Sequence, residues 1–170
     1  MSRHRFHAHE ADMGASYTVY NRRFMTLKYD GQSVEEGYWK LRQEAAVLHT
    51  GEFPVQFEGP DAERLLDLLF TKDITKVKPM RCGYGLACYH DGGLIVDGVL
   101  MRLAADKFWY VQADGDFYSW ARAHAVGMDV KISDPRVYVS QVQGPNALKI
   151  LEAANEGGKL PEPFGYFAVA

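Results

Sequence analysis

The sequence has few cysteines and no long apolar run. Its two cysteines, Cys82 and Cys88, are too few for a disulfide framework and lie in a strand-like segment, which predicts free thiols. No stretch reaches the roughly 18 to 20 apolar residues of a bilayer span, and the N-terminus lacks the apolar core of a secretory signal. These absences exclude a disulfide-stapled scaffold and predict a cytoplasmic protein without a membrane segment.

The chain also lacks an excess of either charge. Nineteen Lys and Arg stand against 22 Asp and Glu, which gives a formal net charge of −3. Such a balance provides no strong field to hold phosphate backbones, so nucleic acid is not an expected partner. Hydrophobic residues at 47% and charged residues at 24% are typical of a globular chain.

The usual catalytic and metal-binding motifs are missing. No Ser-His-Asp or Cys-His arrangement has a recognisable context, and the sequence contains neither a dinucleotide-binding glycine motif nor a phosphate loop. His4, His7 and His9 have no thiolate partner and no fixed geometry around them, so we expect no metal site. Residues 1–32 are predicted to form an irregular N-terminal arm, followed by one domain over residues 33–170.

Order is predicted to begin at a capping box, in which Ser33 and Glu36 each satisfy a backbone N–H of the other. The helix that follows carries an apolar stripe expected to face a core. The stripe consists of Val34, Tyr38, Leu41, Ala45 and Leu48.

One structural unit occurs twice. A strand over residues 53–58 leads into a Gly59-Pro60 corner and a helix over about residues 61–70, and residues 139–143 lead into Gly144-Pro145 and a similar helix. The apolar faces of the two helices match in spacing: Ala62, Leu65, Leu66 and Leu69 in the first, and Ala147, Ile150, Leu151 and Ala154 in the second. Two related halves packed about one sheet would explain this repeat.

The middle of the chain is predicted to be an antiparallel meander. Strand-like runs over residues 84–89 and 94–103 are joined by His90-Asp91-Gly92-Gly93, a hairpin signal, and a third strand covers residues 108–112. A helix over residues 116–126 and strands over residues 128–132 and 136–143 follow. The fold class is therefore α+β, with helices packed on antiparallel sheet. Residues 161–170 are apolar and strand-like, and this ending predicts a domain truncated at its C-terminus.

Asp97 is the most unusual residue in the meander. It lies in the apolar run Leu94-Ile95-Val96-Asp97-Gly98-Val99, where an unpaired carboxylate costs several kcal/mol, to an order of magnitude. One interpretation is a structural salt bridge with Arg102 or Arg81. The other is a ligand with two adjacent N–H groups, which a carboxylate accepts in bidentate fashion, with Gly98 either allowing a close approach or marking a bulge.

Several segments in register resemble the glycine cleavage system T-protein family over about residues 33–170. They are Gly59-Pro60-Asp61-Ala62, Leu69-Phe70-Thr71-Lys72-Asp73-Ile74, Tyr84, Gly92-Gly93-Leu94-Ile95-Val96-Asp97 and Val142-Gln143-Gly144-Pro145. The run from Phe108 to Asp116 is similar to the dimethylsulfoniopropionate demethylase-like branch. Aminomethyltransferases usually have Asp-Asp where this chain has Val96-Asp97, which weakens the likeness to that branch.

The resemblance implies a tetrahydrofolate site. Asp97 falls on the family's pterin-contacting aspartate and is the catalytic candidate as well as a cofactor-binding one. Tyr84 falls on a tyrosine of the same pocket, although a strand tyrosine can equally belong to the core. Gln112 lies where aminomethyltransferases carry an asparagine beside the folate. The family's downstream Tyr-Thr-Gly-Glu segment and C-terminal barrel would lie beyond Ala170, so a chain of this extent is expected to be inactive by itself.

The implied activity is transfer of an aminomethyl or methyl group between a small-molecule donor and folate, with a carrier protein as partner in the glycine-cleavage type. Two alternatives remain open: a folate-binding accessory domain of a dimethylglycine or sarcosine dehydrogenase-type enzyme, and a non-catalytic folate-binding member.

Overall fold

The computed structural model describes residues 2–156, 160–161 and 165–170, which form two compact units. The first unit consists of Met1–Gly51 and Tyr138–Phe164, and the second of Glu52–Val137 and Gly165–Ala170. The predicted single domain from residue 33 is therefore not a compact unit by itself, because its first and last segments group with the N-terminal residues.

The elements of the second unit, in chain order, are β4 (Phe53–Glu58), α3 (Ala62–Leu69), a 3-10 turn (Ile74–Lys76), β5 (Arg81–Cys88), β6 (Leu94–Ala104), β7 (Lys107–Gln112), α4 (Phe117–His124) and β8 (Lys131–Ser133). Its strands form a five-stranded antiparallel sheet with the order β5-β6-β7-β4-β8. Helices α3 and α4 share the hydrophobic core with one face of this sheet. The α+β prediction is confirmed, and so is the hairpin at residues 90–93, which Tyr89 N–H closes by donating to the Gly93 carbonyl at 2.8 Å.

The core consists of alternate strand residues and the apolar face of α3. Phe108, Tyr110 and Gln112 are buried on β7, while the residues between them are only half-buried. On α3 the predicted face is confirmed, because all four of its residues are buried: Ala62, Leu65, Leu66 and Leu69. Strand alternation thus gives the sheet one face covered by helices and one more open face.

The first unit contains the second copy of the repeated unit. It comprises α1 (His7–Asp12), β1 (Ala15–Tyr20), β2 (Arg23–Tyr29), α2 (Val34–Gln43), β3 (Ala46–His49), β9 (Ser140–Gln143) and α5 (Ala147–Ala154). Both Gly-Pro corners require glycine at their first position. A Cβ on Gly59 would lie 2.6 Å from the Asp129 carbonyl oxygen, a Cβ on Gly144 would lie 2.7 Å from the Glu44 carbonyl oxygen, and both residues have positive φ.

The prediction that the two copies pack about one sheet is wrong. Strand β4 lies within the five-stranded sheet, whereas β9 pairs only with β3 in a separate two-stranded sheet of the described residues. The sequence pattern missed β3 because the apolar residues Ala45 and Leu48 fit the continued periodicity of a helix. Helix α2 instead ends at Gln43.

The predicted start of α2 is confirmed, but its core-facing stripe is not. Both capping-box bonds are present: Ser33 N–H donates to the Glu36 carboxylate at 3.0 Å, and Glu36 N–H donates to Ser33 Oγ at 3.1 Å. Val34 is 87% exposed and Tyr38 is 51% exposed, and no described residue of α2 is buried.

The prediction of an irregular arm over residues 1–32 is wrong. Helix α1 is followed by the antiparallel hairpin β1–β2. Its two-residue turn has positive φ at both Asn21 (50°) and Arg22 (61°), a conformation that glycine usually signals. Because neither residue is glycine, the sequence carried only a weak hairpin signal here.

The remaining predictions have mixed outcomes. Cys82 and Cys88 are free, as predicted. The two last strands are shorter than predicted, and of residues 161–170 the described part forms only an isolated bridge between Arg81 and Ala168, while residues 162–164 lie outside the described part of the chain. Within the described residues, no helix has both the length and the apolar character needed to cross a membrane.

Candidate functional site

Asp97 lies near the middle of β6, on the sheet face opposite the helices. Its neighbours Val96 and Gly98 are buried on the helix side, whereas Asp97 is half-buried. It lies opposite Leu86 of β5 in the β5–β6 ladder. A carboxylate at this position is held by the backbone of a central strand and still reaches the open face of the sheet.

Tyr84 is the hydrogen-bond partner of Asp97. Its hydroxyl donates to Asp97 Oδ2. Because Tyr84 lies opposite Val99 and Asp97 lies opposite Leu86, the two side chains are diagonal neighbours on one face. The hydrogen bond to the carboxylate, with smaller contributions from burial and from the charge of Asp97, raises the pKa of Tyr84.

The alternative interpretation, a salt bridge to Asp97, is not observed. Arg102 instead lies with Nη1 2.5 Å from Glu63 Oε2, and its guanidinium donates to the carbonyls of Val77 (3.0 Å) and Ala105 (2.6 Å). Within the described part of the chain, neither Arg102 nor any other cation forms an ion pair with Asp97. The Asp97 carboxylate therefore keeps Oδ1 and part of Oδ2 for another donor.

Gln112, the third predicted site residue, is on the other side of the sheet. It is 2% exposed, its Nε2 donates to the Gly115 carbonyl at 3.1 Å, and its Oε1 accepts from Phe117 N–H at 3.1 Å. Both ends of the amide thus hold the chain at the start of α4. The structure brings Asp97 and Tyr84 together and does not bring Gln112 to them.

Two residues behind Asp97 support the site: Tyr110, which was not assigned to it from the sequence, and Gly98, for which a close approach was one of two interpretations. Tyr110 is fully buried and its hydroxyl donates to the Gly85 carbonyl at 3.1 Å. Burial, followed by the charges of Asp97 and Tyr84, raises the pKa of Tyr110. A Cβ on Gly98 would lie 2.3 Å from the Val111 carbonyl oxygen, so Gly98 permits a close approach of β7. The period-2 pattern around Phe108 was the signal that could have identified Tyr110.

The site can accept a pair of hydrogen bonds on an otherwise apolar surface. Asp97 provides the charge, Tyr84 a hydroxyl, and Leu86 and Val99 lie beside them on the same two strands. A flat heterocycle with adjacent N–H groups fits this combination, since a carboxylate binds such a pair side by side and apolar neighbours suit a ring.

Comparisons with known proteins identify the family of this chain. The model of the GCVT N-terminal domain matches residues 4–170. A dimethylsulfoniopropionate demethylase from Ruegeria pomeroyi is 35% identical over 134 residues, which covers 77% of this chain and 36% of that protein. An aminomethyltransferase from Corynebacterium aurimucosum is 34% identical over 153 residues, or 85% of this chain and 40% of that protein.

The fold has a close counterpart among solved structures. The glycine cleavage system aminomethyltransferase T from Bartonella henselae superposes with a TM-score of 0.86 at 20% identity, over 98% of this chain and 46% of that one. The chain thus spans about two fifths of the length of the curated relatives named above. On the match that extends over residues 4–170, the chain belongs to the GCVT N-terminal domain family.

Proposed function

We propose that this chain forms the pterin-facing part of a tetrahydrofolate-dependent one-carbon transferase. The observation that carries the proposal is the Tyr84–Asp97 pair, a carboxylate on an open sheet face that has a hydroxyl partner but no cation among the described residues. Membership of a family whose relatives include an aminomethyltransferase and a demethylase supports the reaction class.

The chemistry of a pterin matches the pair. The 2-amino group and the adjacent ring N–H of a pterin form two parallel donors, and a carboxylate accepts two parallel donors with better geometry than any neutral side chain. Asp97 Oδ1 has no partner within the described residues, and Oδ2 has a second lone pair besides the one that Tyr84 occupies. Tyr84 holds the carboxylate in one rotamer before the ligand arrives, which reduces the entropy lost on binding.

In this scheme the residues contribute by positioning the folate. Asp97 fixes the pterin, and with it the folate nitrogen that exchanges the one-carbon group with the donor molecule. Correct placement of two reactants accelerates a reaction without any covalent participation of the protein. Gln112 acts at a distance from the ligand, by holding the start of α4 behind the sheet.

The nature of the donor distinguishes the two branches. Val96 stands where aminomethyltransferases usually carry an aspartate, and this favours a methyl donor of the demethylase type over an aminomethyl group delivered on a carrier protein. Because a chain of this extent is expected to be inactive by itself, the test uses a version that includes the family's downstream segments. Its incubation with tetrahydrofolate and candidate methyl donors, followed by detection of 5-methyltetrahydrofolate, tests this preference.

Binding of a reduced folate tests the proposal itself. We expect 5-formyltetrahydrofolate, measured by isothermal titration calorimetry, to bind at least tenfold more weakly to Asp97→Asn, because the amide loses the charge and one of the two acceptors. Asp106→Asn is the matched control, since it removes an exposed carboxylate from the turn between β6 and β7. Circular dichroism checks that all variants fold. Equal affinity of the wild type and Asp97→Asn would contradict the proposal.

A further inference from the structure

The first unit contains a buried cluster of metal-ligating side chains. His4 precedes α1, Glu10 lies on α1, and His49 ends β3. One ligating atom from each lies within 4.8 Å of the other two. His4 is 7% exposed, Glu10 is 3% exposed, and the side chain of His49 is 14% exposed. Two ligating groups near the N-terminus and a third from β3 thus converge where water has little access.

Two histidine nitrogens lie close to the two carboxylate oxygens of Glu10. His4 Nε2 lies 2.9 Å from Glu10 Oε2, and His49 Nε2 lies 3.8 Å from Glu10 Oε1. Despite the short distance, His4 Nε2 is buried without a hydrogen bond, because its N–H does not point at the carboxylate oxygen. Buried polar atoms nearly always have partners. An unsatisfied nitrogen in this position is available to a ligand.

Groups behind the cluster orient its members. Tyr29 donates from its hydroxyl to Glu10 Oε1 at 3.1 Å, and Thr26 donates from its hydroxyl to Glu10 Oε2 at 2.5 Å. His49 Nδ1 lies 2.8 Å from Ser140 Oγ, so donation from Nδ1 leaves the Nε2 lone pair facing Glu10. Such outer partners fix the ring orientation of ligating histidines in metal sites.

We propose that His4, Glu10 and His49 bind one divalent transition-metal ion, with Zn²⁺ as the probe. Two neutral imidazoles and one carboxylate form a ligand set that suits zinc and its first-row neighbours, whereas Mg²⁺ and Ca²⁺ prefer oxygen ligands. Three protein ligands leave at least one coordination position for water. The ion would join the N-terminal segment and α1 to β3.

Binding requires one local rearrangement. Phe6 N–H donates to His4 Nδ1 at 3.2 Å, which places the ring proton of neutral His4 on Nε2. Ligation through Nε2 moves that proton to Nδ1 and opens the contact with Phe6. The contact spans only two residues, so a small change of the N-terminal segment is sufficient. This shift gives the site a signature that surface-bound zinc would lack.

The sequence did not reveal this site. His4, His7 and His9 were expected to lie in an irregular arm without fixed geometry, and only His4 of the three joins the cluster. Its partners are Glu10, on a helix that was not predicted, and His49, at the end of a strand that was not predicted either. The proposal is independent of folate binding, because its residues belong to the first unit alone.

Zinc titration of the protein, purified without a histidine tag and stripped with chelator, tests the site. We expect one Zn²⁺ per chain by calorimetry, a higher Tm with Zn²⁺, and at least a tenfold loss of affinity in His49→Gln and Glu10→Gln. His9→Gln is the matched control, an exposed histidine on the same helix. Glu10→Gln can destabilise the unit. If Glu10→Gln does not fold, the result for His49→Gln decides.

A second measurement reads the His4 ring directly. Long-range 1H–15N NMR should show His4 protonated at Nε2 without metal and at Nδ1 with Zn²⁺. The absence of zinc binding tighter than about 100 μM, undiminished binding in His49→Gln, or an unchanged His4 tautomer on addition of zinc would each overturn the proposal.

Discussion

Gly98 of β6 lies against the backbone of Val111 in β7, where a Cβ on residue 98 would be 2.3 Å from the Val111 carbonyl oxygen. The close approach fixes the strand that carries Asp97 next to β7. Backbone cannot move aside as a flexible side chain can, so the two strands would have to separate to accept any larger residue.

We expect Gly98→Ala to lower the free energy of unfolding by about 3 kcal/mol, the upper part of the range for overpacked sites. Chemical denaturation measures this change. Gly37→Ala is the matched control: Gly37 lies within α2, and a Cβ added there would have no atom within 4 Å, so alanine should stabilise by about 0.5 to 1 kcal/mol. A neutral effect of Gly98→Ala would contradict the close packing of these strands.

Arg102 forms an ion pair near the site, and its replacement should affect stability without affecting ligand binding. Arg102→Ala removes the partner of Glu63 and leaves the carbonyls of Val77 and Ala105 without this donor. We expect a loss of about 2 to 3 kcal/mol in unfolding free energy, below the value for a fully buried pair because Glu63 is partly exposed.

Folate affinity of Arg102→Ala should be unchanged at a temperature where the variant is folded, because Arg102 does not contact Asp97. Calorimetry with 5-formyltetrahydrofolate makes the comparison. A loss of affinity as large as that of Asp97→Asn would mean that Arg102 belongs to the site.

The Tyr84–Asp97 hydrogen bond should be visible in the titration of Tyr84. Since the bond to the carboxylate is the main cause of the raised pKa of Tyr84, Asp97→Asn should move that pKa down towards the ordinary value near 10. NMR of 13Cζ-labelled tyrosine, with Tyr84→Phe to assign the signal, measures it. An unchanged titration of Tyr84 in Asp97→Asn would show that the contact is absent in solution.

The stabilising contribution of Tyr110 should be lost at alkaline pH. Its pKa is raised in the folded state, so at high pH the unfolded chain releases a proton that the folded chain retains. The contribution is therefore complete below pH 10 and declines as the pH rises from about 10 towards the folded pKa.

Tyr110→Phe removes this pH dependence, together with about 1 kcal/mol at neutral pH for the lost bond to Gly85. Urea denaturation between pH 8 and pH 11.5 measures both effects. Tyr166→Phe is the control, because Tyr166 is 84% exposed. The same alkaline slope in the wild type and Tyr110→Phe would contradict the assignment to Tyr110.

The sequence predicted those parts of the fold that depend on local signals. The face of α3 follows from residue spacing, and the hairpin follows from Gly92, a residue type that readily adopts the positive φ found there. The pairing of β9 with β3 depends on contacts between residues nearly a hundred positions apart, and periodicity carries no information about such pairing. The β1–β2 turn was missed because Asn21 and Arg22 adopt positive φ without glycine.

The candidate site was also predictable only where a local signal marked its residues. Asp97 stood out as a carboxylate in an apolar run, and its neighbour Tyr84 came from the family resemblance. Gln112 was placed beside the folate by position in the family alone. The period of two in β7, with Phe108 and Tyr110 in the core, would have assigned Gln112 to the buried face.

The measurement that tests the central claim most directly pairs a change in Asp97 with a change in the ligand. A reduced folate in which methyl replaces the 2-amino group lacks one of the two donors proposed for Asp97. The wild type should bind this analogue at least tenfold more weakly than 5-formyltetrahydrofolate, whereas Asp97→Asn should bind the two with affinities within about twofold of each other. If Asp97→Asn discriminates between the two ligands as strongly as the wild type does, Asp97 does not contact the pterin amine and the proposed site is wrong.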